Sequence, residues 1–341
     1  MTDTMVASDE FHHEPIPGKN WQENYVFHAF DASSNSGWFI HLGHIFDQGI
    51  VDVRVMTIIN GVVTSATAQA PGNDCLAAPG LDVKVTVPLE RMRLRYSGRG
   101  AIGPAKDGFF GEQEGNVPFG FDIEMISEHP IVNWTPFVRA LKLDPISMGT
   151  RYEQGARWKG KLWSGDKEIE VEGLLVRDHS WGPRAWHGAR VGGFWTPMVF
   201  DNGKKFISGV ISTSGNFISF SALSSPNGIS DVTYDNWIRI NSGSLVARQF
   251  DEAEVLRLTE GKVERFSYTG HMHFARTRHA SFMDTKHKRG ISDMYSTIVG
   301  EGMTGFGTLQ HMTRGDYVQE GFDDPKSERD SNALVGTRPA A

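Results

Sequence analysis

The residues best equipped for chemistry crowd into one stretch, Arg177-Asp178-His179-Ser180-Trp181-Gly182-Pro183-Arg184. Side chains on a strand alternate between its two faces. A strand rising from Val171 would therefore put Arg177, His179 and Trp181 on one face and Asp178 and Ser180 on the other. Gly182-Pro183 would end it. Strand ends that open toward a cavity are where β-barrels hold ligands. His179 would shuttle a proton near neutral pH, and Asp178 would orient it or act as an acid once desolvated. Arg177 or Arg184 would hold a developing oxyanion. Tyr152 and Glu153 are second candidates, because a neighbouring strand can bring a phenol or a carboxyl into the same cavity. The plain alternative is an ion-pair lock of Arg and Asp, with Trp181 and Trp186 filling a seam.

Other residues would line such a cavity. His41 and His44 follow the aromatic run Trp38-Phe39-Ile40, and Trp134, Phe194, Trp195 and Phe306 are large apolar candidates. His271 and His273 fall on one face of a strand. Nine tryptophans exceed what a core of this size needs, so some should form an aromatic wall and the rest plain core. The pair His271-Met272-His273 has metal-ligand spacing, but basic Phe274-Ala275-Arg276-Thr277-Arg278 follows where an acidic ligand is needed, so no metal is expected. Phosphate-loop, dinucleotide-binding and Gly-x-Ser-x-Gly motifs are absent. The basic stretch Arg276 to Arg289 reads as a solvated face. No cofactor is expected.

These residues need strands to position them, and the pattern supplies strands. Val51, Val53 and Val55 alternate with Asp52, Arg54 and Met56; Val83, Val85 and Val87 repeat the pattern. Phe206 to Ile211 and Phe217 to Leu223 flank Thr213-Ser214-Gly215-Asn216, a hairpin turn. Only Asn133 to Leu143, with Asn133 or Thr135 as cap and Pro136 in the first turn, predicts a short helix. The chain has 341 residues, and its 38 glycines suit many tight turns. The expectation is all-β, with two domains at 20–185 and 186–322 and polar termini at 1–19 and 323–341. A single cysteine, Cys75, excludes a disulfide framework within the chain, and a net charge of −7 argues against nucleic-acid binding. With no signal peptide and no membrane span in the sequence, a cytoplasmic protein is expected, with homo-oligomerisation left open.

The segment Arg177 to Arg184, preceded by Tyr152-Glu153-Gln154-Gly155-Ala156-Arg157-Trp158-Lys159-Gly160, resembles the bacterial superfamily related to carotenoid 1,2-hydratase (hydroxyneurosporene synthase). Gly302-Met303-Thr304-Gly305-Phe306-Gly307-Thr308-Leu309-Gln310-His311 is similar to the glycine-rich closing strand of that group, and the likeness runs from Trp21 to about Tyr317. The resemblance implies two lipocalin-like antiparallel β-barrel or sandwich domains packed together, an architecture shared with lipocalin-like Diels–Alderases. It also implies a hydrophobic substrate enclosed between the domains and chemistry without a redox cofactor. The function expected is a cofactor-independent lyase acting by acid–base chemistry on an aromatic or isoprenoid small molecule. It would be a hydratase or dehydratase, or a C–C lyase that releases an aldehyde. A non-catalytic carrier of a hydrophobic ligand, and a cyclase or isomerase of the same group, are the alternatives.

Overall fold

The computed structural model describes residues 4–18, 20–72, 76–103, 115–127, 131–142, 149–183, 190–213, 216–225, 227–244, 249–276, 289–314 and 333–336. The described residues form two compact units, one up to Pro183 and one from Arg190 onward. No described helix is long and apolar enough to cross a membrane.

The first unit contains β1 (Trp21–Asp31), β2 (Ser36–Ile45), β3 (Ile50–Ile59), β4 (Val62–Pro71), β5 (Ala77–Ala78), β6 (Leu81–Val87), β7 (Arg91–Gly103), β8 (Val117–Ile126), β9 (Val132–Asn133), β10 (Thr150–Ser164) and β11 (Lys167–Pro183). Pairing runs β4-β3-β2-β1-β11-β10-β8-β7, and β4 pairs again with β7. The sheet is therefore a closed antiparallel barrel, which leaves none of those strands with an open edge. Its interior holds Tyr25, Phe27, Trp38, Ile40, Val53, Phe121 and Trp158 in one buried cluster. Trp38 meets Trp158 edge-on with ring centroids 5.9 Å apart, the arrangement aromatic quadrupoles favour. Gly160, at φ 154, lets β10 approach β8 closely, since a Cβ there would stand 2.1 Å from the Asp122 carbonyl oxygen.

Alternation in β3 is as expected for Val51, Val53 and Val55, which join the core. The opposite face is buried as well; there Arg54 Nε donates to Asp52 Oδ2 at 3.3 Å and Gln69 Nε2 to Asp52 Oδ1 at 3.1 Å. The short helix α1 spans Thr135–Ala140 with Pro136 in its first turn, and Asn133 Oδ1 accepts from the Thr135 N–H at 2.8 Å.

The second unit contains β12 (Arg190–Trp195), β13 (Met198–Phe200), β14 (Lys205–Thr213), β15 (Asn216–Ser225), β16 (Gly228–Thr233), β17 (Asn236–Ser244), β18 (Gln249–Thr259), β19 (Lys262–Arg276), β20 (Arg289–Gly300), β21 (Met303–Arg314) and β22 (Ala333–Gly336). They form one antiparallel sheet ordered β16-β15-β14-β12-β21-β20-β19-β18-β17-β22, with β13 beside β14 and β21. Phe206, Val255, Phe266, Met294 and Leu309 are among its core residues. Thr213 pairs with Asn216, as a two-residue hairpin requires; the turn residues Ser214 and Gly215 lie outside the described residues. The chain is thus all-β in two units. The C-terminal region expected to be a polar tail contributes β22, because Ala333-Leu334-Val335 is apolar enough to add to the edge of β17.

The N-terminal arm also differs from the expectation of a plain polar lead-in. Ala7–Glu10 is a single 3-10 turn, and Glu10 is fully buried. A buried carboxylate needs partners, and those partners define the site.

Candidate active site

Register places the cluster. Tyr25 of β1 faces His179 of β11, which faces Tyr152 of β10; Phe27 faces Arg177, which faces Gln154; Glu23 faces Trp181. Paired residues share a sheet face, so Arg177, His179 and Trp181 stand in one row at the end of the barrel where β1 begins and β11 finishes. All of these residues belong to the first unit.

Arg177 is fully buried and forks onto Glu10: Nη1 donates to Oε1 at 2.7 Å and Nη2 to Oε2 at 2.9 Å. Nε donates to Gln154 Oε1 at 2.8 Å. Tyr152 OH donates to Glu10 Oε1 at 2.9 Å, and the Leu89 N–H donates to Oε2 at 2.7 Å. Burial would raise the Glu10 pKa, but the Arg177 charge and its hydrogen bonds outweigh that and hold it below the ordinary carboxylate range. Tyr152 is pushed well above its usual value by burial, against the opposing pull of Arg177, so its hydroxyl stays protonated.

His179 is fully buried between aromatic rings, with Tyr25 stacked on it at 3.9 Å and Tyr152 edge-on at 5.3 Å. Its Nε2–H donates to Glu23 Oε1 at 2.9 Å; the carboxylate partner assigns the tautomer. Burial lowers the His179 pKa, although the Glu23 charge works the other way. The same carboxylate accepts from His13 Nδ1 at 2.8 Å and from the His13 backbone N–H at 3.0 Å, and His12 Nδ1 lies 3.1 Å from Oε2. Burial of Glu23 is overcome by the hydrogen bonds from His13 and His179, which hold its pKa at about 2. His13 stacks on Trp181 with centroids 3.8 Å apart and planes 9° from parallel. His13, Glu23 and His179 also offer three ligand atoms within 4.8 Å of one another, a donor set that suits a divalent cation as well as proton transfer.

Other candidates lie away from this row. Asp178 lies on the opposite face from His179 and pairs with Arg151, which also reaches Glu153 Oε1 at 3.3 Å. The Arg151 guanidinium sits 4.5 Å over the Trp134 ring. Register puts His41 on that second face too, through its pairing with Val26 opposite Asp178. In the second unit, Phe194 is buried and stacked on His311 at 4.5 Å, Trp195 is buried, and Phe306 meets Tyr295 edge-on at 5.4 Å. His271 is exposed and bonds Thr297 Oγ1 at 2.7 Å, and His273 is half-buried; both alternate with buried Met272 and Phe274. Arg184 lies outside the described residues, as do Trp186, Cys75 and most of the basic stretch Arg276 to Arg289. An open groove of about 1070 Å³ on the first unit is lined by Asp31, Arg93, Asp122, Glu124, Lys161 and Glu170 among others, and none of Arg177, His179 and Trp181 borders it.

A family model described as "Domain of unknown function (DUF7064)" matches residues 6–314. The chain belongs to this family. A search of curated proteins found no match. Among solved structures, an AttH-like protein from Nitrosomonas europaea is 14% identical, with 86% of this chain and 91% of that chain covered and a TM-score of 0.56. Kievitone hydratase from Nectria haematococca is 10% identical, with 92% and 94% covered and a TM-score of 0.53. The DUF7064 chain shares the two-unit β-fold of these proteins, the architecture that the resemblance implied. The DUF7064 match begins ahead of Glu10, His12 and His13, which sequence reasoning passed over along with Glu23, Tyr25 and Gln154. The signal for Glu23 was present: it is an acid in the strand that starts at Trp21, and it shares its face with Tyr25 and Phe27.

Proposed function

We propose that the chain is an enzyme of the lyase type, moving protons on a hydrophobic aromatic or isoprenoid small molecule. In this reading His179 is the base, and Arg177 and Tyr152 hold the negative charge that develops. The observation that carries it is the state of one imidazole. Glu23 accepts the Nε2–H of His179, while Nδ1 is buried with no hydrogen-bond partner among the described residues. A carboxylate on one ring nitrogen orients the ring and leaves the other nitrogen as the basic one. Burial keeps that nitrogen unprotonated at neutral pH.

For loss of water, Nδ1 would take a C–H proton, that bond's electron pair would form the double bond, and the neighbouring C–O bond would break, the departing oxygen taking the proton back from His179 to leave as water. For release of an aldehyde, it would take a hydroxyl proton and the adjacent C–C bond would break. In both, the Arg177 guanidinium stabilises the negative charge that develops on the substrate in a water-poor site. The reading is supported by a hydratase among the structures that share this fold, and by the ionisable groups buried at the barrel end, which a carrier of apolar ligands would not need.

The test is His179→Ala assayed on aromatic and terpenoid alcohols that the parent chain converts. Turnover is expected to fall by about 10²–10⁴-fold, the usual share of general acid–base catalysis, with the circular dichroism spectrum retained. Unchanged turnover in a folded variant would overturn the assignment.

A further inference from the structure

We infer that the N-terminal arm is a working part of the proposed site, and that His13 is the positioning residue through which it acts. His13 fixes the Glu23 carboxylate, and Glu23 orients His179. This rests on the reading of His179 as the base and adds to it a residue that the strands of the barrel do not supply.

The grip on Glu23 has two points. The His13 backbone N–H donates to Oε2 at 3.0 Å, and the ring Nδ1–H donates to Oε1 at 2.8 Å. The terminal torsion of a glutamate is broad when nothing holds it. Donors on both oxygens fix the plane of the carboxylate, as a guanidinium fork does. Held in that plane, Oε1 stands 2.9 Å from His179 Nε2. One oxygen thus accepts an N–H from each ring, and the two ring centroids lie 5.7 Å apart. His12 Nδ1 lies 3.1 Å from Oε2, the oxygen that His179 does not use. In a histidine–carboxylate pair the carboxylate selects the tautomer, and the wrong tautomer has no base to offer. Here the selecting carboxylate is itself set by the arm.

The arm is tied down on both sides of His13. Ahead of it, Glu10 forks with Arg177, and the Glu10 carbonyl accepts from Tyr25 OH at 3.0 Å. Met5 packs against the buried cluster of Trp21, Tyr152 and Trp181. Beyond it, the N–H groups of Gly18 and Asn20 donate to the Asp47 carboxylate at 3.2 and 2.7 Å. None of these ties uses the His13 side chain, so the arm keeps its course when that side chain is exchanged. The ring itself has two contacts of different kind: a flat face on Trp181 and a donor nitrogen on Glu23. The grip needs the nitrogen, whereas plain packing needs only the face.

Three variants of the full chain separate the two. His13→Phe keeps a flat ring for Trp181 and removes the donor. His13→Asn removes the ring and keeps an N–H on the atom next to Cγ, where Nδ1 stands. His13→Ala removes both. Nitrogen NMR of the histidine rings at neutral pH reads the His179 tautomer with no substrate present. The parent and His13→Asn are expected to hold the proton on Nε2, and His13→Phe and His13→Ala to share it between Nε2 and Nδ1. On alcohols that the parent converts, kcat is expected to fall about tenfold or more in His13→Phe and His13→Ala, part of what a general base supplies. KM is expected to stay within about twofold, and His13→Asn to restore kcat. The reverse order, with His13→Phe like the parent and His13→Asn impaired, would overturn the inference. So would one and the same His179 tautomer in all four proteins. His13→Phe and His13→Asn decide between them even if His13→Ala is unstable. The NMR readout involves no turnover, so the lyase reading can fail at His179→Ala while the grip of His13 stands, and the reverse also holds.

Discussion

At the scale of the residue, the site depends on which groups carry protons. Burial holds the His179 pKa below the ordinary histidine value, and Glu23 titrates at about 2. Activity that needs neutral His179 is therefore expected to be level through neutral pH and to fall on the acid side, with its midpoint below the roughly 6.5 of a free imidazole; a kcat/KM profile checks this. Stability has the same sign. A histidine whose folded pKa is depressed takes up a proton more readily when unfolded, so stability declines as pH drops below about 6.5. Glu23, depressed as well, adds stability above its unfolded value near 4.5 and loses it as pH falls toward about 2. Melting temperature is expected to drop below about pH 6.5 through His179 and to drop further between about pH 4.5 and pH 2 through Glu23; a curve flat over the first interval would contradict the His179 assignment, and one flat over the second the Glu23 assignment. Arg177, His179 and Trp181 were legible because strand alternation is a local rule. Glu10 was not: its partner lies far along the chain, and nothing local marks a glutamate in a polar arm as buried.

At the scale of the element, what positions these side chains is a barrel that closes where β4 meets β7 through Val63 opposite Gly103, Thr64 opposite Ile102 and Ser65 opposite Ala101. The seam passes Gly100, where a Cβ would stand 2.3 Å from the Ser65 carbonyl oxygen and 2.6 Å from the Phe119 ring. Neither backbone oxygen nor buried ring can retreat in a close-packed interior. Gly100→Val is accordingly expected to cost about 1–3 kcal/mol, measured as a lower urea midpoint at unchanged slope. Strand existence was legible from period-2 runs, as in β3 and β6. Closure was not, because the β4–β7 pairing joins residues distant in sequence and leaves no local pattern. Asp178, and Glu153 opposite it, lie on the face away from His179, as the alternation of the sequence requires. Alternation alone sends residue 178 to the other face, where Arg151 waits on the adjacent strand.

At the scale of the whole molecule, length pointed to two β-units, and the described strands pair within two separate sheets. Each unit has its own core: the cluster around Trp38 and Trp158 in the first, and that around Phe206 and Phe266 in the second. A unit with a closed sheet, its own aromatic interior and roughly half the chain is large enough to bury a self-sufficient core. The proposed site follows the same division, since Glu10, Glu23, Tyr152, Arg177, His179 and Trp181 all lie in the first unit. Cutting the chain after Trp186 breaks none of the strand pairs described. The fragment Met1–Trp186 is therefore expected to unfold in one cooperative transition with a β-type circular dichroism spectrum. A fragment that failed to fold, or that unfolded in more than one step, would show that the barrel needs the second unit.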